Sequence, residues 1–206
     1  MSFFDYFDAA YCINLDRRVD RWKRAQKQFK KINLNNVIRV SAVDGKLEPP
    51  ASIPPGAVGC LKSHLGVFKD AKQKDLNSFL MLEDDVEFDD DFHNKFNEIE
   101  SQIPEDFEML YLGSNPHSGS RHGVKENINR VTYTFAAHSV VFRKPCFDDI
   151  INSLSGPLTV PCDVHYGRNQ VVHTAYSIKP PLAWQKADYS DIDEQFVDYD
   201  FLRINI

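Results

Sequence analysis

No apolar run in the chain approaches the roughly 20 residues needed to cross a bilayer. The first ten residues, M-S-F-F-D-Y-F-D-A-A, place Asp5 and Asp8 where a secretory leader needs unbroken apolar sequence, and no basic leader precedes them. There is no long polybasic tract, and the net charge is −6, so the composition gives no footing for non-specific nucleic-acid binding. No Gly-rich phosphate loop of the Walker or G-x-G-x-x-G type occurs, which argues against ATPase and dehydrogenase readings. The four cysteines, Cys12, Cys60, Cys146 and Cys162, form no C-x-x-C, so the spacing points to neither a zinc cluster nor a thioredoxin-like site. Cys12 and Cys60 lie in apolar segments and read as buried thiols. The reading is therefore a reduced, cytoplasmic protein, with attachment at a membrane surface or through a tether outside this sequence left open.

What is present is enough for a core. Of 206 residues, 42% are hydrophobic and 12% aromatic, which suits a single domain over residues 1–206. Ala9 to Leu15 reads as a buried strand. Trp22, Ala25, Phe29 and Ile32 then recur at helical spacing, with Asp20 as the expected N-cap. Val37 to Val43 reads as a second strand closed by Asp44-Gly45, residues 47–57 as loop, and a helix is entered near Val58. Ser78 to Leu82 is the third predicted strand, and Asp91 opens a helix with Phe92, Phe96 and Ile99 on one face, capped by Asp90 or Asp91. Glu108 to Gly113 is the fourth strand, Val131 to Arg143 reads as extended, and Pro145 starts a short helix. The tail reads as irregular. Alternating strands and helices predict an α/β domain with a mostly parallel sheet.

Two stretches carry chemistry. In F-L-M-L-E-D-D-V, an apolar strand runs directly into Glu83, Asp84 and Asp85. Three adjacent carboxylates repel one another unless a positive group sits among them. Alternation along the strand puts Glu83 and Asp85 on one side and Asp84 on the other. Ligands of open α/β sheets sit beyond the carboxyl ends of strands, and paired carboxylates suit Mn²⁺ or Mg²⁺. The second stretch, N-L-D-R-R-V-D-R, gathers Arg17, Arg18 and Arg21 at a helix start, where anions are favoured. Together they suggest a nucleoside diphosphate held between arginine and metal. The bland reading of each is a solvated strand end and ordinary surface charge.

Five segments, Y-C-I-N-L-D-R-R-V-D-R (11–21), V-S-A-V-D-G (40–45), G-A-V-G-C-L-K-S-H-L (56–65), F-L-M-L-E-D-D-V (79–86) and P-P-L-A-W-Q…Y-S-D-I (180–192), resemble glycosyltransferase family 25 in order and spacing. That family contains lipopolysaccharide β-galactosyltransferases and procollagen galactosyltransferases. The resemblance implies a GT-A type, Rossmann-like fold, a UDP-sugar donor, a divalent metal and inversion at the anomeric carbon. It makes Glu83-Asp84-Asp85 the equivalent of a D-x-D motif, with Asp85 as metal ligand. It places Asn14, Leu15, Arg17, Arg21, Ala42 and Asp44 on the nucleotide, Lys62, Ser63 and His64 along the donor site, and Gln185 and Ser190 in a loop near it. A-A-H-S (136–139) departs from the family pattern, so His138 would line the pocket differently.

For the reaction, the segment V-P-C-D-V-H-Y-G-R-N (160–169) offers Asp163 as the base that takes the acceptor proton, and His165 as a third metal ligand beside Asp85 and Glu83. The expected activity is transfer of a hexose, galactose or glucose, to a hydroxyl of a glycan or protein. The alternatives are a catalytically weak nucleotide-sugar-binding module and a metal-dependent nucleotidyltransferase.

Overall fold

The computed structural model describes residues 1–116, 121–199 and 203. The chain forms strands β1 (Ala9–Asn14), β2 (Ile38–Ser41), β3 (Ser78–Glu83), β4 (Val86–Phe88), β5 (Met109–Tyr111), β6 (Asn115–Pro116), β7 (Arg121–Lys125), β8 (Ile128–Val131), β9 (Thr134–Phe135), β10 (Ser139–Arg143), β11 (Ala175–Ile178), β12 (Ala183–Gln185), β13 (Asp188–Ser190) and β14 (Gln195–Val197). The α-helices are α1 (Val19–Lys31), α2 (Pro55–Gln73), α3 (Phe92–Ile99), α4 (Phe147–Leu154) and α5 (Cys162–Asn169). The central sheet has eight strands in the order β2-β1-β3-β10-β5-β11-β8-β7. Six of them run in one sense, while β8 and β10 oppose them.

Both faces of the sheet are covered, which is why β1 and β3 read as unbroken apolar runs instead of alternating ones. On one face, Phe3, Phe92 and Phe96 pack with Phe29 of α1 and with Cys12 and Leu82. On the other, Phe68 of α2 meets the rings of Phe79, Phe142 and Phe147 in edge-on contacts. All four of these rings are almost completely removed from water.

Several boundaries differ from the sequence expectation. α1 opens at Val19 with Arg18 in the cap position, and Asp20 lies inside the first turn, bonded to the Arg18 side chain. α2 opens at Pro55, three residues before Val58, because proline is well suited to a first helical position. Asp91 precedes α3, but its carboxylate accepts from the Asn94 side chain and caps no backbone N–H. Val131 to Arg143 is not one extended segment. It breaks at Ala136, whose φ of 69° is in the left-handed region, and beyond Val131, the end of β8, only Ser139–Arg143 joins the central sheet. The tail is also more ordered than expected. β12 pairs antiparallel with β4, and β13 and β14 form a hairpin.

Two glycines set how closely α2 approaches the loop after β2. A Cβ on Gly59 would lie 2.4 Å from the Val43 carbonyl oxygen, and one on Gly45 would lie 1.6 Å from that of Pro55. Backbone therefore packs on backbone here, and the Cys60–His64 turn of α2 is drawn against the end of β1 and β3.

Candidate active site

β1 and β3 are parallel neighbours, with Ile13 in register with Glu83. Their carboxyl ends therefore bring Asn14 beside the acidic residues. The strand stops at Glu83, and Asp84-Asp85 form a tight turn into β4. This turn alters the expected alternation. Asp84 and Asp85 do not diverge; Arg21 from the first turns of α1 reaches both, at 2.8 Å to Asp84 Oδ1 and 2.9 Å to Asp85 Oδ2. Asn14 Nδ2 donates to Asp84 Oδ2 at 2.6 Å. The positive group required among the carboxylates is thus a guanidinium.

Glu83 is answered differently. His64 Nε2 lies 3.2 Å from Glu83 Oε1, and His64 Nδ1 lies 2.8 Å from the Tyr166 hydroxyl. Gln185, delivered by the β12–β4 pairing, donates from Nε2 to Glu83 Oε2 at 3.5 Å, and the Lys186 N–H donates to the Asp85 carbonyl at 2.8 Å.

Charge and burial separate the three acids. Burial raises Asp85 to about 7, with Arg21 opposing and the charges of Glu83 and Asp84 adding to the rise. Burial also raises Asp84, against the pull of Arg21 and Asn14. For Glu83, burial acts upward too, but hydrogen bonding and the charge of His64 outweigh it and hold the carboxyl below its usual range. Asp85 Oδ1 is buried without a hydrogen-bond partner. A cation facing the cleft would satisfy that oxygen.

The cleft at this sheet end is lined by Asn14, Leu15, Arg17, Arg21, Ala42, Asp44, Ser63, His64, Glu83, Asp84, Asp85, Gln185 and Ser190, all singled out from sequence. Arg17 pairs with Asp44 and, at 3.0 Å, with Asp191. Lys62 is not brought in; it pairs with Glu48 on the outer side of α2. Its helical neighbours Ser63 and His64 point inward, and a helix cannot direct three consecutive side chains the same way. Ser63 Oγ donates to the Gly59 carbonyl and accepts from the Val43 N–H, tying α2 to the loop after β2.

Asp163 and His165 sit on α5, two residues apart and on different sides. Asp163 Oδ2 accepts from the Ala136 N–H at 3.3 Å, a contact set up by the left-handed backbone at that alanine. Burial raises Asp163 to about 6, with the Glu83 charge adding to the rise. His165 turns instead to Ser153 of α4, 2.8 Å from its Nδ1, and does not join the acidic cluster. His138 is completely buried beside Glu83, whose N–H donates to the His138 carbonyl.

Sequence reasoning missed Asp188 and Asp191. Arg24 and Arg18 pair with these residues, which bring the 188–193 segment over the cleft. It also missed the meeting of Cys60 with Cys162 and the cleft-lining Tyr199. None of these carries a local spacing signal, since each depends on a contact more than 100 residues away along the chain.

Residues 7–155, well over half of the chain, match the family described as "Glycosyltransferase family 25 (LPS biosynthesis protein)". The chain belongs to glycosyltransferase family 25. Procollagen galactosyltransferase 2 of Homo sapiens is 32% identical over 130 residues, covering 52% of this chain and 21% of that protein. Probable inactive glycosyltransferase 25 family member 3 of Bos taurus is 23% identical over 145 residues, covering 59% of this chain and 24% of that protein. This family 25 chain thus spans about a fifth to a quarter of the length of those relatives. Among solved structures, A197 from STIV shares the fold, with a TM-score of 0.52 at 13% identity over 92% of both chains. Among the described residues, no helix is long and apolar enough to cross a membrane.

Proposed function

We propose that this family 25 chain is a GT-A type hexosyltransferase domain over residues 1–206, moving galactose or glucose from a UDP-sugar to a hydroxyl of a glycan or protein with inversion. One observation carries the reading: the acidic turn after β3 and the arginines of α1 meet in a single cleft at the carboxyl ends of parallel strands. This is where an open α/β sheet takes its ligand.

The donor set suits a hard divalent cation, Mn²⁺ or Mg²⁺. Asp85 has an unpartnered buried oxygen, Glu83 faces the same cleft, and such ions often take only one or two carboxylates beside substrate phosphates. When bound, such an ion stabilises charge developing on a departing diphosphate. His165 is left out of the ligand set, because it faces Ser153.

The chain's own residues supply the rest. Arg17, whose side chain is 42% exposed, exchanges Asp191 for phosphate and adds charge stabilisation to the leaving group. Arg21 orients Asp84 and Asp85 and opposes the burial that favours their protonated forms. Asp163 takes the proton of the acceptor hydroxyl as that oxygen attacks the anomeric carbon and the bond to the diphosphate breaks.

A panel of nucleotide-sugars with and without Mn²⁺ tests the reading by thermal shift, followed by donor hydrolysis. Stabilisation by UDP-sugars with hydrolysis is expected, and nucleoside triphosphate turnover with no response to UDP-sugars would overturn it. A second reading, a nucleotide-sugar-binding module without transfer, is favoured by the hold of Arg21 on Asp85 and predicts stabilisation by UDP without hydrolysis.

A further inference from the structure

Cys60 and His64 are four residues apart on α2, one turn of helix, so their side chains leave the same face. Cys162 is the first residue of α5, and its Sγ lies 3.4 Å from that of Cys60. One ring nitrogen of His64 and the two sulfurs all fall within 4.8 Å of one another. Tetrahedral zinc, with Zn–S near 2.3 Å and Zn–N near 2.0–2.1 Å, sets its ligand atoms roughly 3.5–3.8 Å apart. The two sulfurs already stand near that spacing, and the ring nitrogen lies within 4.8 Å of both. The other two cysteines lack this company: Cys12 and Cys146 face backbone carbonyls.

The chemistry agrees with the geometry. The hydrogen bond from Cys162 and the neighbouring His64 bring Cys60 down to about 7, despite burial, while the same contact and burial push the Cys162 thiol up, so the first proton of the pair leaves readily and the second only as a metal replaces it. His64 also has outer support on both sides. Whichever ring nitrogen faces a metal, the other retains Glu83 or the Tyr166 hydroxyl, the kind of partner that orients a ligating histidine. Asp163, with Oδ1 3.9 Å from Cys162 Sγ, stands beside the trio, so a fourth position falls to it or to water.

We propose that Cys60, His64 and Cys162 form a binding site for a thiophilic divalent cation, zinc(II), which pins α2 to α5 at the wall of the cleft that Cys60 and His64 line. Thiolate ligands select zinc over manganese or magnesium, so this site differs in metal preference from the carboxylate end of β3, which it adjoins through His64 and Glu83. Binding releases both thiol protons and the extra ring proton of the charged His64 to solvent, and with no change of oxidation state the step balances. Sequence spacing hides the site, because 102 residues separate the two cysteines.

Metal-stripped protein, kept reduced, is titrated with Co²⁺ as a spectroscopic stand-in. One equivalent is expected to produce a thiolate-to-cobalt charge-transfer band, which Zn²⁺ abolishes and Mn²⁺ leaves unchanged. Zinc at a hundredfold excess over its dissociation constant is expected to raise the melting temperature by roughly 5–10 °C. Cys162→Ala or Cys60→Ala should weaken binding by more than about 100-fold, beyond the usual cost of losing an outer-shell partner, while Cys146→Ala keeps the band. The wild-type titration stands even if a variant fails to fold. The proposal is overturned if folded wild-type protein gives no band. It is equally overturned if the band survives in both cysteine variants, or if two thiols disappear without metal and return on reduction, which would mark a Cys60–Cys162 disulfide.

Discussion

The two flanks of the β3 terminus solve the same problem with different chemistry. On the α1 flank, Asp84 and Asp85 are compensated by Arg21, a cation that its two carboxylates raise further despite burial. On the α2 flank, Glu83 is compensated by His64, which rests against Cys60 and Tyr166. A guanidinium stays charged at every accessible pH, so the first flank is fixed. An imidazole beside a thiol can lose charge, shift its proton or bind a metal, so the second is adjustable. One flank suits a permanent scaffold for anions and hard cations, and the other suits regulation by protons or soft metals.

The largest effect expected is on turnover. Asp85→Ala should lower transfer or donor hydrolysis by about 10³-fold or more, since charge stabilisation of the leaving group would be lost. Stability should fall only modestly, because the change removes one partner of Arg21, which keeps Asp84, together with a buried oxygen that has no partner. Kinetics and thermal melts on the same preparation separate the two effects, and activity persisting in excess chelator would dismiss the metal role.

Next comes Arg21→Ala. It strands two carboxylates whose side chains are only 7% and 11% exposed, and breaking such a buried pair costs about 3–5 kcal/mol. Urea unfolding measures this. Adding Asp85→Asn should recover part of the loss, which would show that the cost comes from the stranded charge and not from lost packing.

A smaller effect marks the α5 side. Asp163 must be ionised to take a proton, and its carboxyl is raised to about 6. The rate should therefore fall about tenfold per pH unit below 6 and level off above 7. The sign for stability is opposite. A folded-state value above the unfolded one favours the protonated native form, so this contribution is full below about 4 and is lost as pH rises through 6. Asp163→Asn should remove the acidic limb of the rate profile and cost about 100-fold in turnover with little change in donor affinity.

Much of the frame could be read directly from sequence. The apolar runs at Ala9 and Ser78, the helical period of Trp22, Ala25 and Phe29, and the E-D-D terminus all reflect local rules, and each is present in the fold. Family 25 membership followed from segments that are individually short. What escaped reading depends on distant pairing. Nothing local to Cys162 indicates Cys60, and nothing local to Asp188 or Asp191 indicates α1. The divergence of Asp84 from Asp85 failed because alternation holds only while a strand continues, and this one stops at Glu83. His165 failed for a helical reason: two positions along a helix turn side chains by roughly 200°, so a residue two from Asp163 faces away from it.

The smallest predicted effect tests the edge of the cleft. Lys62 lies within the G-C-L-K-S-H segment, whose resemblance placed it on the donor, yet its side chain is 36% exposed and pairs with Glu48. A partly exposed ion pair contributes about 0–1 kcal/mol. Lys62→Ala should therefore leave stability within that range and donor affinity within about twofold, since a contact that is not made cannot be lost. A tenfold loss of UDP-sugar affinity by calorimetry would mean that Lys62 leaves Glu48 and swings over the cleft when the donor binds. The α2 flank would then contribute a mobile cation of its own, and the contrast between a fixed arginine side and an adjustable histidine side would have to be redrawn.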